Sequence, residues 1–332
     1  VSLLALDDVR VDYTRPDGAT VSAVAGVSLE LEAGETLGLV GESGCGKSTL
    51  AAAVMGLLPA EAEISGSVRL DGRELTTLDH EQRRRLRGDR MAMIVQDPQS
   101  ALDPAYSVGS QVAETIRAHR NVSRREAKTR TIELLAEVGV PAAAQRYGDP
   151  PHRLSGGLRQ RGVIAAALAN DPALLIADEP TTALDATIQG QILALLAAAR
   201  ERRAMGMLLI THDLGVVAQT CDRVGVLYAG QLVELAPTRE LFAAPRHPYT
   251  RTLLAALPGT GDRAKLPTLG GRVPDLSDPP PGCRFAPRCP HALVECARTP
   301  VLAGGAHATA CWLDADSRAA TQAEHAVAQG VS

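Results

Sequence analysis

Over residues 1–36 apolar and polar positions alternate, with Val9, Val11 and Tyr13 on one run, Val21 and Ala23 on the next, and Val27, Leu29 and Leu31 on a third. A period of two broken by Pro16-Asp17-Gly18 predicts antiparallel strands joined by a turn. Residues 36–40 are apolar enough for a buried strand, which runs straight into a glycine-rich turn and a predicted helix over 47–57. Another wholly apolar strand is predicted over 91–95. From residue 97 to about 170 the period becomes helical: Ser123 and Glu126 form a capping box, Ile132, Leu135 and Val138 mark an apolar face, and Gly139 marks a stop. Apolar strands return over 174–177, 207–211 and 224–227, with a helix over 186–203 between the first two. Strands alternating with helices predict an α/β fold, its sheet mostly parallel and covered on both faces. After Pro258 the chain turns rich in Pro, Gly, Cys and Arg, and residues 278–282 (Asp-Pro-Pro-Pro-Gly) read as a stiff linker.

Composition narrows this picture. The 332 residues suit one large domain with an appendage, or two modest ones. A formal charge of −4 argues against a dedicated nucleic-acid binder, which is usually basic. With 2% aromatic residues, the core has to be built from Ala, Leu and Val. The N-terminus lacks a charged region, apolar run and small-residue cleavage site in series, so no signal peptide is expected. The longest apolar stretches, 163–169 and 192–199, fall well short of the roughly 18 residues that a membrane-spanning helix needs.

Two segments carry phosphate chemistry. Gly41-Glu42-Ser43-Gly44-Cys45-Gly46-Lys47-Ser48-Thr49 fits G-x-x-x-x-G-K followed by Ser or Thr, between a predicted strand and a predicted helix. Glycines allow a ring of backbone N–H donors around a β-phosphate, and the helix N-terminus adds partial positive charge. Lys47 can then reach the β- and γ-phosphates, and the Ser48 hydroxyl can ligate Mg²⁺. Downstream, the apolar strand Leu174-Leu175-Ile176-Ala177 ends in Asp178-Glu179. Asp178 can hold the Mg²⁺ shell through water, and Glu179, one residue nearer the γ-phosphate, can polarise the attacking water as general base.

Leu154-Ser155-Gly156-Gly157-Leu158-Arg159-Gln160-Arg161 resembles the signature sequence of ABC-type ATPases, L-S-G-G-x-x-Q-R. The resemblance implies a P-loop NTPase fold with a mostly parallel core sheet, an antiparallel β subdomain and a helical subdomain at about 97–170. It also implies that Ser155, Gly156, Gly157 and Gln160 serve the ATP held by a second ATPase subunit. Four further positions agree with this family. Gln96 resembles the Q-loop glutamine that senses γ-phosphate and Mg²⁺, and Ala183-Leu184-Asp185 resembles the D-loop that acts across the dimer. His212 resembles the switch histidine that orients Glu179, and Tyr13 resembles the aromatic that stacks on adenine.

A finer resemblance is to the ATPases of bacterial dipeptide and oligopeptide importers. It rests on residues 39–50, on Gln96-Asp97-Pro98-Gln99-Ser100-Ala101-Leu102-Asp103-Pro104, and on the stretch His247-Pro248-Tyr249 through Pro258. Leu158 departs from the Met common in the family. The implied partners are a second ATPase subunit, identical or sibling, two permease subunits and an extracytoplasmic peptide-binding protein. This chain would lie on the cytoplasmic face of the bacterial membrane, touching it only through the permeases. Importers of nickel chelates, glutathione or oligosaccharides share most of these motifs, and a soluble non-transport ABC ATPase is the reading outside transport.

Four of the six cysteines, Cys283, Cys289, Cys296 and Cys311, crowd the C-terminal region with spacing C-x5-C-x6-C-x14-C. Four thiolates can close a Zn²⁺ site or hold a 4Fe–4S cluster, and two disulfides are a further alternative. The importer ATPases resembled here carry this pattern, which implies the 4Fe–4S cluster, stitching an otherwise coreless tail. The expected division is an ATPase domain over 1–258 and a C-terminal extension over 259–332 that ends in a flexible tail.

Overall fold

The computed structural model describes residues 2–182, 184–256 and 271–314. Eleven strands and eleven α-helices are found among these residues. Strands β1 (Leu4–Thr14), β2 (Thr20–Leu31), β4 (Ala62–Leu70) and β5 (Arg73–Glu74) form an antiparallel sheet in the order β2-β1-β4-β5. Strands β3 (Thr36–Val40), β6 (Met91–Ile94), β7 (Leu174–Asp178), β8 (Gly206–Ile210), β9 (Arg223–Tyr228), β10 (Gln231–Pro237) and β11 (Ala308–Thr309) form the second sheet, in the order β11-β10-β9-β3-β8-β7-β6. Its five strands from β9 to β6 pair in parallel, and β10 and β11 add antiparallel at one edge.

The helices are α1 (Lys47–Met55), α2 (His80–Leu86), α3 (Pro98–Ala101), α4 (Val108–His119), α5 (Arg124–Glu137), α6 (Ala143–Arg146), α7 (Gly156–Leu168), α8 (Ala186–Arg203), α9 (Leu214–Thr220), α10 (Thr238–Ala243) and α11 (Pro248–Ala255). Helix α1 stops two residues short of its predicted end because Gly56 adopts φ +62°, its N–H turning back to the Ala52 and Ala53 carbonyls. That is the left-handed stop for which glycine is suited. The predicted capping box is present at α5: Ser123 Oγ accepts from Glu126 N, and the Glu126 carboxylate accepts from Ser123 N.

The central strands read as unbroken apolar runs because both faces are buried. Along β7 and β8, Leu174, Ile176, Leu208 and Ile210 enter the core shared with β1, β2 and α1. Leu175, Ala177, Met207 and Leu209 point the other way, into the core beneath α4, α5, α7 and α8. Each such large apolar side chain contributes about 1.5–3 kcal/mol. The second core anchors helices α4 to α7, all of which lie between Val108 and Leu168.

The C-terminal stretch departs from the expected coreless tail. Strand β11 pairs with β10 at Glu234 and Leu235, extending the main sheet. Phe285 is 1% exposed and packs edge-on to Tyr228 at 5.2 Å, with Tyr249 at 5.5 Å. The three rings concentrate a scarce residue type at one place. The expected boundary near Pro258 and the tail beyond residue 314 lie outside the described residues.

Candidate functional site

Strand β3 delivers the chain to Gly41, and the loop that follows is squeezed between two other strands. A side chain at Gly41 would collide with the Leu227 carbonyl of β9, and one at Gly46 with the Ala23 carbonyl of β2. Gly46 also has φ +102°, in the region that favours glycine. The loop therefore opens directly onto α1, whose first-turn N–H groups have no partner within the helix. Ser43, Gly44, Cys45 and Thr49 complete the predicted cradle, and Gly44 likewise takes φ +78°. Lys47 is 7% exposed, and its ammonium donates to the Gly41 and Glu42 carbonyls at 2.8 and 2.9 Å.

Asp178 ends β7 beside this loop. Its carboxylate is hydrogen-bonded by Ser48 and feels the Lys47 charge, yet it is raised above the ordinary carboxylate range. Burial is the main cause, and the neighbouring Glu179 adds to it. Among the described residues nothing donates to its buried Oδ1. A buried, unsatisfied carboxylate oxygen next to a hydroxyl is the hard oxygen donor set that Mg²⁺ takes. The residues present thus fit that ion.

Glu179 lies at the centre of a network. Its Oε2 accepts from Gln96 Nε2 at 3.1 Å and from Thr182 Oγ1 at 2.7 Å, and its Oε1 lies 3.1 Å from His212 Nδ1. Burial alone would push this carboxyl up, but the bonds from Thr182 and His212, with the charges of His212 and Lys47, outweigh it and hold it below its usual value. Its φ of +47° costs about 1–2 kcal/mol for a residue with a side chain, and the bond from Glu179 N to Ile210 O at 2.8 Å helps hold it there. An ionised carboxylate in strained backbone, fixed from three sides, is suited to accepting a proton from water.

Gln96, Asp178, Glu179, His212, Lys47 and Ser48 are thus brought together. Thr182 was not anticipated, and a hydroxyl three residues after the acid is its only signal. Tyr13 sits on β1 opposite Val21 and Ala62, two positions along β2 from the Ala23 that touches Gly46.

The signature residues lie elsewhere. Ser155 caps α7, its Oγ accepting from Leu158 N at 3.4 Å, and it is exposed. Gly156 faces Leu184, and Gly157 faces Ile188 so closely that a side chain there would meet it at 2.9 Å. Gln160 is buried and donates to the Pro180 carbonyl at 2.7 Å, tying α7 to the segment after Glu179. Asp185 caps α8 by accepting from Ile188 N at 2.9 Å. Ala183 lies outside the described residues.

The four C-terminal cysteines share one neighbourhood. Burial pushes Cys289 up to about 11 and also raises Cys283, and the other thiols of the group act on both in the same direction. Backbone N–H groups point at sulfur, including Leu293 N to Cys296 Sγ at 3.4 Å. All six cysteines are free thiols, so the disulfide alternative is not seen. The expected closed metal centre is not formed either: among the described residues no three His, Cys, Asp or Glu side chains are arranged to hold a metal ion. The donor chemistry fits a sulfur-ligated group, whereas the ligating geometry is absent.

A glycine loop between strand and helix, an acid pair at the end of a neighbouring parallel strand, and a separate serine-glycine helix start define an ABC-type ATPase. The ABC transporter family matches residues 24–182, and the family described as the oligopeptide/dipeptide transporter C-terminal region matches residues 233–296. A probable peptide ABC transporter ATP-binding protein of Sinorhizobium fredii is 47% identical over 317 residues, covering 93% of this chain and 94% of that one. The dipeptide transport ATP-binding protein of Bacillus subtilis is 44% identical over 334 residues, covering 99% and 98%. A dimeric ATP-binding cassette solved in a post-hydrolysis state with ADP and Pi superposes with a TM-score of 0.64 at 28% identity, covering 71% of this chain and 99% of that one. The chain belongs to the ATP-binding subunits of ABC transporters, in the dipeptide and oligopeptide transport branch.

Proposed function

We propose that this chain hydrolyses ATP to power uptake of di- and oligopeptides, as one of two ATPase subunits working on two permease subunits. The observation that carries this reading is similarity along nearly the whole chain to peptide-transport ATP-binding proteins, together with the intact Glu179 network. Peptide would reach the permease from an extracytoplasmic binding protein. The chain would sit peripherally at the cytoplasmic face; among the described residues no helix is long and apolar enough to cross a membrane.

In the mechanism we propose, the N–H groups of residues 41–49 and the start of α1 bind the phosphates, and Lys47 exchanges its loop carbonyls for them. Tyr13 stacks on the adenine. Ser48, Gln96 and, through water, Asp178 would hold Mg²⁺, which supplies charge neutralisation at the phosphates when bound. Glu179 takes the proton of the attacking water, oriented by His212. Ser155, Gly156 and Gly157, with Gln160 holding their helix, complete the partner subunit's site, and Asp185 acts across the same seam. ATP-driven closure moves the permease outward, and hydrolysis reopens the pair.

Cys283, Cys289, Cys296 and Cys311 are proposed to hold a 4Fe–4S cluster; their spacing in the sequence and the Leu293 N–H directed at Cys296 Sγ support this reading, although the described residues do not themselves close the site. Anaerobically purified protein should be brown with iron and sulfide near four per chain; a colourless preparation with stoichiometric zinc contradicts this. For the transport reading, a strain lacking this chain should lose uptake of labelled dipeptides and regain it on complementation. Undiminished uptake contradicts the assignment.

A further inference from the structure

Glu42, the residue after the first glycine of the loop, is gripped from three directions. Its N–H donates to the Tyr249 hydroxyl at 3.0 Å. Its carboxylate accepts from Arg288 Nη1, at 3.1 Å to one oxygen and 3.3 Å to the other. Its carbonyl accepts from the Lys47 ammonium at 2.9 Å. Two of these three holds come from the C-terminal part of the chain, more than 200 residues away: Tyr249 lies 207 residues on and Arg288 lies 246 residues on.

Arg288 is no ordinary surface arginine. Its side chain is 6% exposed, donates to the Tyr228 hydroxyl at 3.2 Å, and lies over the Tyr228 ring at 5.7 Å. An enclosed guanidinium on a carboxylate is a far stiffer tie than an exposed pair, because losing one partner strands the other away from water. A second strut runs beside it. Arg284 Nη1 donates to the Ala229 carbonyl and, at 3.3 Å, to that of Ser22. Gly230 N, next in the same turn, donates to the Cys45 carbonyl at 2.9 Å. One arginine follows Cys283 and the other precedes Cys289, so both ends of this stretch reach the phosphate loop, one directly and one through the turn.

We propose that Arg288 is a positioning residue for the ATPase reaction. Through Glu42 it fixes the entry of the glycine loop and the place of Lys47, and so sets ATP affinity from the C-terminal segment. It acts through the loop and touches no phosphate. Because the loop holds ATP before and during hydrolysis alike, loosening it weakens binding uniformly, which raises KM and spares kcat. This inference rests on residues 41–49 being the ATP loop.

The test measures ATP binding and steady-state hydrolysis with Mg²⁺, using the full chain in its assembled transporter. Arg288→Met keeps the stem and removes the ion pair. It should raise Kd and KM for ATP about fivefold or more, with kcat changed less than twofold, as expected for coupled residues of one network. Glu42→Gln should do the same, and the double variant should be no worse than either single one. Arg288→Lys should restore part of the affinity, since an ammonium keeps the charge and loses the fork. Unchanged ATP affinity in Glu42→Gln, effects that multiply in the double variant, or a fall in kcat at constant KM would each overturn the inference. Should Arg288→Met not fold, Glu42→Gln with Arg288→Lys still decides it. Lys47→Ala separates the two levels: if it retains ATP, the loop assignment itself fails, whereas if it loses ATP and Glu42→Gln does not, only this inference fails.

Discussion

Glu179 and Ser155 both sit where the chain leaves one element and enters the next, and their surroundings differ in kind. Glu179 is enclosed: Gln96, Thr182 and His212 contact its two carboxylate oxygens, and Asp178, Ser48 and Lys47 lie alongside. Ser155 is exposed, its hydroxyl accepting from Leu158 N within its own helix turn, and is followed by two glycines packed back on Leu184 and Ile188. The first region is organised to act within this chain. The second presents a hydroxyl, free helix N–H groups and a dipole outward, a surface suited to an anion brought by something else. One chain therefore carries a cradle and a separate serine-glycine patch, which in the proposed mechanism make a complete site only when paired with a neighbour.

The comparison breaks most readily at the cradle. Lys47→Ala should cut ATP retention and hydrolysis by about two orders of magnitude or more, since it removes a buried cation facing both acids. Equilibrium binding of a fluorescent ATP analogue would show it, and near-parent binding would contradict the cradle. Ser155→Ala sharpens the contrast: binding of ATP to the single chain should stay within twofold, while hydrolysis by the assembled complex drops about tenfold. Loss of the cap should also cost about 1 kcal/mol of stability. Equal losses in binding and hydrolysis would mean that the two regions are not separate.

The smallest effect lies away from both. Glu74 accepts from Ser67 Oγ, Thr76 Oγ1, Thr76 N and Val68 N. Burial opposes its ionisation, but these bonds prevail and bring it down to about 2. A folded-state value below the unfolded one means that the stabilisation is present above about pH 4.3 and is lost as pH falls towards 2. Glu74→Gln should destabilise by about 1 kcal/mol at pH 7, after allowance for solvent screening, with hydrolysis unchanged. Denaturant melts at pH 7 and at about pH 3 should show the difference shrinking on acidification.

What was legible in the sequence was what local pattern encodes. The loop of residues 41–49, the acid pair after an apolar strand and the Ser123–Glu126 box each announce themselves within a dozen residues. Strand β11 spans two residues and pairs with a strand some 70 positions earlier, so no periodicity marks it. Nothing local in the sequence links Arg288 to Glu42, and only the fold shows that they meet. Likewise Glu234 and His307 look like surface residues in sequence, yet they form a buried pair at 2.7 Å beneath the same edge. Contacts of this range are set by topology, and sequence spacing is silent about them.

The central claim, that ATP is held between the cradle of one subunit and the serine-glycine patch of another, is tested most directly by a structure of the assembled transporter with ATP bound to the Glu179→Gln variant, which should bind but not hydrolyse it. The account predicts Ser155 Oγ and the Gly157 N–H within about 3 Å of a γ-phosphate oxygen seated on the facing subunit's loop. Finding Ser155 far from every triphosphate in that complex would contradict it.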